Sequence, residues 1–289
     1  MHPAPSVIIF SVLTGLGFGL LAMLGFGLAP ATGWAAVVTY GAGYALATAG
    51  LMASTFHLGN PQRALRAFTQ WRTSWLSREA WASVAAMMLM APVAASAVFA
   101  GRLMPVLGAL AAVLCLVTVV TTSMIYTQLK TVPRWNHWTT PALFLGHAIA
   151  GGALLAGLGN APVLLLLLGL FLALTFRTGD GRFADRGHTL ATATGLGGGS
   201  VRSFAPPHTG SNYLMREMIF VVGRKHAVKL RTLSILLVSV LPALVLLVLP
   251  AGLIATLLAA VLHLIGAFIG RWLFFAEAEH VVGLYYGLR

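Results

Sequence analysis

Long apolar runs of about twenty residues, divided by short polar interruptions, recur along this chain. Leu, Ala and Val dominate them, without the period-two alternation that marks the strands of a membrane barrel. Backbone amides in a bilayer must be satisfied within the span, so these runs predict transmembrane helices. Eight are predicted, at about 6–29, 34–57, 78–100, 104–127, 139–159, 161–176, 233–249 and 252–275. The sixth is short for a hydrocarbon layer of ~30 Å and is expected to thin the bilayer or extend into its flanks. Pro250-Ala251-Gly252 makes a sharp reversal between the last two. The expected fold is an all-α integral membrane protein, a bundle of about eight helices forming one domain over residues 1–289, with a long polar loop at 177–232.

Composition agrees: 58% hydrophobic and 8% charged residues exclude an ordinary soluble globular protein. A net charge of +12 would point to nucleic acid in a soluble chain, but here its distribution follows topology. With eight crossings, Arg63, Arg66, Arg72, Arg78, Lys130, Arg134 and nine Lys or Arg from Arg177 to Arg231 share a side with both termini. The opposite side has only Arg102 among its loops. The positive-inside rule makes the rich side cytoplasmic. Trp71, Trp75, Trp81, Trp135, Trp138 and Trp272 fall near that boundary, as interfacial anchors do. No Lys or Arg precedes the first run, so it reads as a retained helix, although Ala29-Pro30-Ala31 faintly resembles a cleavage site. Cys115 is the sole cysteine, which rules out an intramolecular disulfide and a thiolate set for an iron-sulfur cluster.

The densest chemistry lies in HLGNPQRALRAFTQWRTSWLSRE, from His57 to Glu79. It joins the cytoplasmic ends of the second and third helices and can bring His57 and Glu79 together at the membrane surface. A quinone needs hydrogen-bond partners for two carbonyls and exchanges two protons on reduction, and a histidine with a carboxylic acid can supply both. Asn60-Pro61 breaks the helix, Gly59 permits close approach, and four arginines surround the acid. The alternative is that His57 caps a helix while Glu79 pairs with Arg78 or Arg72 among headgroups.

Three other features carry weaker signals. His147 and His263 fall at similar depth and could ligate a b-type haem, or could simply bond to neighbouring helices. Glu277, Glu279 and His280 read as a solvated segment after the last helix. In the long loop, residues 178–212 read as irregular, and from Asn212 the spacing of Leu214, Met218, Val221 and Val222 predicts a basic surface helix suited to anionic lipid or an acidic partner. Gly197-Gly198-Gly199 lacks the Lys-Ser or Lys-Thr ending of a phosphate loop.

The H-L-G-x-P-x-R-A start, the W-L-S-R-E finish and the separation of His57 from Glu79 resemble the anchor-subunit family of dimethyl sulfoxide reductase. The run PPHTGSNYLMREMIFVVGRKHAVKLR, Pro206 to Arg231, is similar to the subgroup that includes the membrane subunit of cytoplasmic sulfite dehydrogenase. The resemblance implies a multi-pass protein of the bacterial cytoplasmic (inner) membrane that has no catalytic residues of its own. It binds ubiquinone or menaquinone, without haem or metal, through His57, Gly59, Arg63, Ser77, Arg78 and Glu79. Arg66, Arg72, Arg216, Arg224 and Lys225 would face docked partners, a ferredoxin-like iron-sulfur subunit and a catalytic subunit with molybdopterin guanine dinucleotide. Sulfite oxidation feeding quinone is the implied reaction. The alternatives are an S- or N-oxide reductase oxidising menaquinol and a non-redox transporter, against which no internal repeat of broken spans is evident.

Overall fold

The computed structural model of the chain describes all residues except 57–59, 197–199, 206–207, 220–225 and 288–289; the side chain of Pro61 is also outside the description. The described residues contain helices and no strand. In chain order the α-helices are α1 (Pro5–Gly25), α2 (Gly33–Thr55), α3 (Trp75–Ala100), α4 (Pro105–Thr127), α5 (Thr139–Leu155), α6 (Ala161–Asp185), α7 (Leu190–Thr194), α8 (Tyr213–Met218), α9 (Ala227–Val248) and α10 (Leu253–Ala276). Among the described residues, α1, α2, α3, α4, α6, α9 and α10 are long and apolar enough to cross a membrane.

α5, an apolar helix of 17 residues, or about 26 Å at 1.5 Å per residue, falls short of that length, so among the described residues seven candidate crossings stand where hydropathy predicts eight. It was the sixth helix that hydropathy made short, and α6 is in fact 25 residues long. Its helical hydrogen bonding continues beyond the apolar run through Arg177, Asp180 and Arg182, because Asp180 finds cationic partners on neighbouring elements. The supposed irregular loop therefore begins as helix. By contrast, the basic helix expected from Asn212 is described only as the six residues of α8, and Val221, Val222, Arg224 and Lys225 lie outside the described residues.

α9 begins at Ala227, a turn and a half before the predicted boundary, and widens into a π turn at Leu236–Val240. Pro242 follows, and a proline inside a helix supplies no N–H to the carbonyl four residues back. That carbonyl belongs to Val238, and His263 of α10 bonds to it through Nδ1 at 2.7 Å.

α1 is the central helix, with 78% of its span buried against 28% for α2, and it packs on α2, α4, α5 and α10. Helix association within lipid depends on close van der Waals packing between small residues. At the α1–α5 crossing, a Cβ on Gly152 would overlap the backbone of Gly19 and stand 2.9 Å from the amide nitrogen of Leu20. A second packing group joins α6, α9 and α10. Large apolar side chains such as Met88, Phe99, Val106, Leu170 and Ile254 remain exposed around the bundle, as expected where the surrounding medium is hydrocarbon.

The amino group of Met1 donates to the carbonyl of Ala278 at 2.7 Å, and Val281 N–H donates to Thr131 C=O at 3.0 Å. The start of the chain, the α4–α5 connection and the segment after α10 thus meet at one end of the bundle.

Candidate functional site

The segment between α2 and α3 folds over the same end of the bundle. Residues Pro61–Phe68 form a 3-10 helix, and Trp81 one and a half turns into α3 donates its indole N–H to the Phe68 carbonyl at 3.0 Å. The two rings meet edge to face with centroids 5.3 Å apart. Arg78 donates through Nε to Trp71 C=O at 2.9 Å and through Nη2 to Arg72 C=O at 2.7 Å, and its guanidinium lies 4.3 Å from the centre of the Trp75 ring. These contacts close the loop on itself. Between loop, α3 and α4 they leave an open groove of about 410 Å³, lined by Phe68, Trp71, Arg78, Trp81, Ala82, Val117 and Thr121. A planar, mainly apolar head group fits such a groove, with Arg78 as a cationic donor on its wall.

Glu79 points the other way. It is 4% exposed within the bundle and bonded to Thr122 Oγ1 of α4. The expectation of an acid ringed by arginines fails here: Arg78 and Arg72 engage backbone and indole groups, and no basic side chain is ion-paired to Glu79 among the described residues. The reason is helical geometry, since residues 78 and 79 project about 100° apart and only one can face the loop. The hydroxyl of Thr122 also lies 2.9 Å from the Thr118 carbonyl. It has a single hydrogen. A protonated Glu79 can donate to Thr122 while Thr122 donates to Thr118; an ionised Glu79 must take the Thr122 hydrogen for itself. Gain or loss of one proton therefore rearranges a two-bond chain.

Ser77 is buried with its Oγ unpartnered among the described residues. Arg63 and Arg66 are exposed on the 3-10 helix, and neither lines the groove. Arg72 and Arg216 are exposed as well. His57 and Gly59 lie outside the described residues.

Sequence reading missed three features. Glu277, expected to be solvated, is 6% exposed. It accepts from Arg231 Nε at 2.6 Å and Arg134 Nη1 at 3.3 Å, and both arginines also bind Asp180, with Arg231 making two bonds of 2.5 and 2.8 Å. This four-membered cluster ties the α4–α5 loop, α6, α9 and the end of α10 together beside a cavity of about 220 Å³. Trp135, expected at the interface, is 3% exposed, stacked on Phe274 and donating to its carbonyl at 2.9 Å. Finally, Arg271 is buried inside α10 with its guanidinium 3.7 Å from the centre of the Phe144 ring. A lone arginine within an otherwise apolar helix was the available signal for it. The rings of His147 and His263 do come together, 6.2 Å between centroids, but the space beside them is about 10 Å³, far too small for a haem macrocycle.

The family model described as DMSO reductase anchor subunit matches residues 1–288. The chain is 34% identical over 333 aligned residues to a sulfite dehydrogenase subunit of Allochromatium vinosum, covering 99% of each chain. No solved structure matches.

Proposed function

The chain belongs to the DMSO reductase anchor subunit family, and on that premise we propose that it anchors a molybdenum oxidoreductase in the bacterial cytoplasmic membrane and exchanges electrons between an iron-sulfur partner subunit and quinone. The observation that carries the quinone part is Glu79, a carboxyl buried in a membrane-spanning helix, without an ion-pair partner among the described residues. Such a residue is functional by default because its burial is costly. Quinone, when bound, takes up or releases two electrons together with two protons. The groove supplies aromatic surface and Arg78, while Glu79 and Thr122 hold an exchangeable proton on the inner side of α3. His57, from the adjoining segment, is proposed as the second proton-exchanging group, with Gly59 and Ser77 completing the site; Arg63 stays exposed outside the groove.

One cysteine cannot ligate an iron-sulfur cluster, so electrons must enter from a partner's clusters. The loop-bearing end of the bundle is the proposed docking face, with Arg66, Arg72, Arg216, Arg224 and Lys225 toward acidic partner surface, and the positive-inside rule makes it cytoplasmic. The name of the Allochromatium relative favours sulfite oxidation delivering electrons to quinone.

The test is Glu79→Gln in the assembled complex. Quinone-coupled turnover should fall by about 100-fold or more, the usual scale for losing a proton-transfer group, while electron transfer from substrate to a soluble artificial acceptor stays intact. Undiminished quinone turnover refutes the assignment.

A further inference from the structure

A long basic side chain one turn from the end of a membrane helix ordinarily reaches outward to the head groups. Arg271 turns inward. It is 5% exposed, lies over Phe144, and stands 5.4 Å from the centre of Phe274. Among the described residues no carboxylate is ion-paired to it, and its buried Nη1 has no hydrogen-bond partner. Two turns earlier on α10, His263 is 1% exposed. Its Nδ1 bonds to the Val238 carbonyl left open by Pro242. A carbonyl only accepts, so Nδ1 carries the hydrogen, and in the neutral imidazole Nε2 presents a lone pair. That Nε2 is also buried and unpartnered among the described residues. Both residues line a small cavity of about 10 Å³, together with His147, Phe144, Ser11 and Leu16.

We propose that this cavity is a binding site for internal water in the interior of the membrane domain, held between Arg271 and His263. The two orphaned groups are of opposite kind. Water oxygen accepts from the Nη1–H of Arg271, and water O–H donates to Nε2 of His263. A halide or other aprotic anion would satisfy the arginine and leave the histidine lone pair bare. Size selects the same ligand, because about 10 Å³ of free space is near the minimum for one water. Unpaired polar groups in hydrocarbon are costly, and water is the smallest species that satisfies both. Gly151 of α5 keeps the histidine accessible, since a Cβ there would stand 3.0 Å from Nε2.

Aromatic rings separate this site from Glu79. Glu79 bonds to Thr122; Tyr126 lies one turn further along α4, and its ring contacts Phe144 and Phe274, the two rings on which Arg271 rests. The water site stands independently of whether Glu79 serves quinone.

The test uses the full chain in lipid nanodiscs. Electron cryomicroscopy at water-resolving resolution should show a density peak within hydrogen-bond distance of His263 Nε2 and Arg271 Nη1. Solid-state NMR of the ¹⁵N-histidine protein should show magnetisation passing from water to Nε2 of His263, with loss of that transfer in Arg271→Met and retention in Arg271→Lys. An empty cavity, a dry Nε2, or an ion without hydrogens at Arg271 overturns the proposal. Should Arg271→Met not fold, Gly151→Ala places a methyl group against Nε2 and should abolish the transfer; an unchanged signal there also overturns it.

Discussion

Arg231 offers the sharpest test of what holds the loop-bearing end together. Replacing it by Met keeps an unbranched side chain against Phe176, whose ring centre lies 5.2 Å from the guanidinium, but removes three charge-assisted bonds. Glu277, with 4% of its side chain exposed, is then left with one bond of 3.3 Å from Arg134. Removing one partner of a buried pair costs about 3–5 kcal/mol. Asp180 is 49% exposed and Arg231 20%, so solvent screening reduces the expected loss to roughly 2–4 kcal/mol. Glu277→Gln should cost less, roughly 1–2 kcal/mol, because Asp180 still holds both arginines. At about 2–4 °C per kcal/mol, Arg231→Met should lower the apparent melting midpoint by roughly 4–16 °C. Cys115, the only cysteine and fully buried, provides the assay: a thiol-reactive fluorophore labels it as the detergent-solubilised chain unfolds. The double variant should cost less than the sum of the two single ones, since they share bonds. An unchanged midpoint in Arg231→Met, or strict additivity, would refute the cluster as a structural clamp.

The other predictions concern packing, pH and the groove. Gly152→Leu should prevent α1 and α5 from closing and yield little folded protein, measured as monodisperse material on size exclusion, whereas the lipid-facing Leu170→Ala should be nearly neutral. Burial and the guanidinium groups of Arg182 and Arg186 lower the pKa of His137, and burial and the amino terminus lower that of His280, from an ordinary value of 6.5. Both depressed values mean that the unfolded chain binds more protons, so their stabilisation is present above about pH 6.5 and declines as pH falls through and below it. A melting series across that window should show the decline, and His137→Gln with His280→Gln should flatten it. Trp81→Ala, which opens the groove without touching Glu79, should raise the KM for quinone more than it lowers kcat in the complex; the reverse pattern would place quinone elsewhere.

Much of this protein is legible in its sequence because hydrocarbon is a demanding solvent. A backbone that must satisfy itself in lipid leaves helix as the solution for each apolar run, so the helical segments follow from Leu, Ala and Val alone. The motif from His57 to Glu79 likewise stands out as polar residues at a membrane boundary. What hydropathy cannot see is direction around a helix. Arg78 and Glu79 are neighbours in sequence, yet one closes the surface loop and the other enters the bundle to meet Thr122. The polar end of α6, the burial of Glu277 and Trp135, and the inward turn of Arg271 all depend on partners that arrive from distant segments: Asp180 with Arg231, Trp135 with Phe274, Arg271 with Phe144. Sequence therefore determined which segments enter the membrane, and tertiary packing decided which polar groups follow them in. The physical reason is that a buried charge or polar group is tolerable only when a partner is positioned to receive it, and chain order does not reveal where such partners meet.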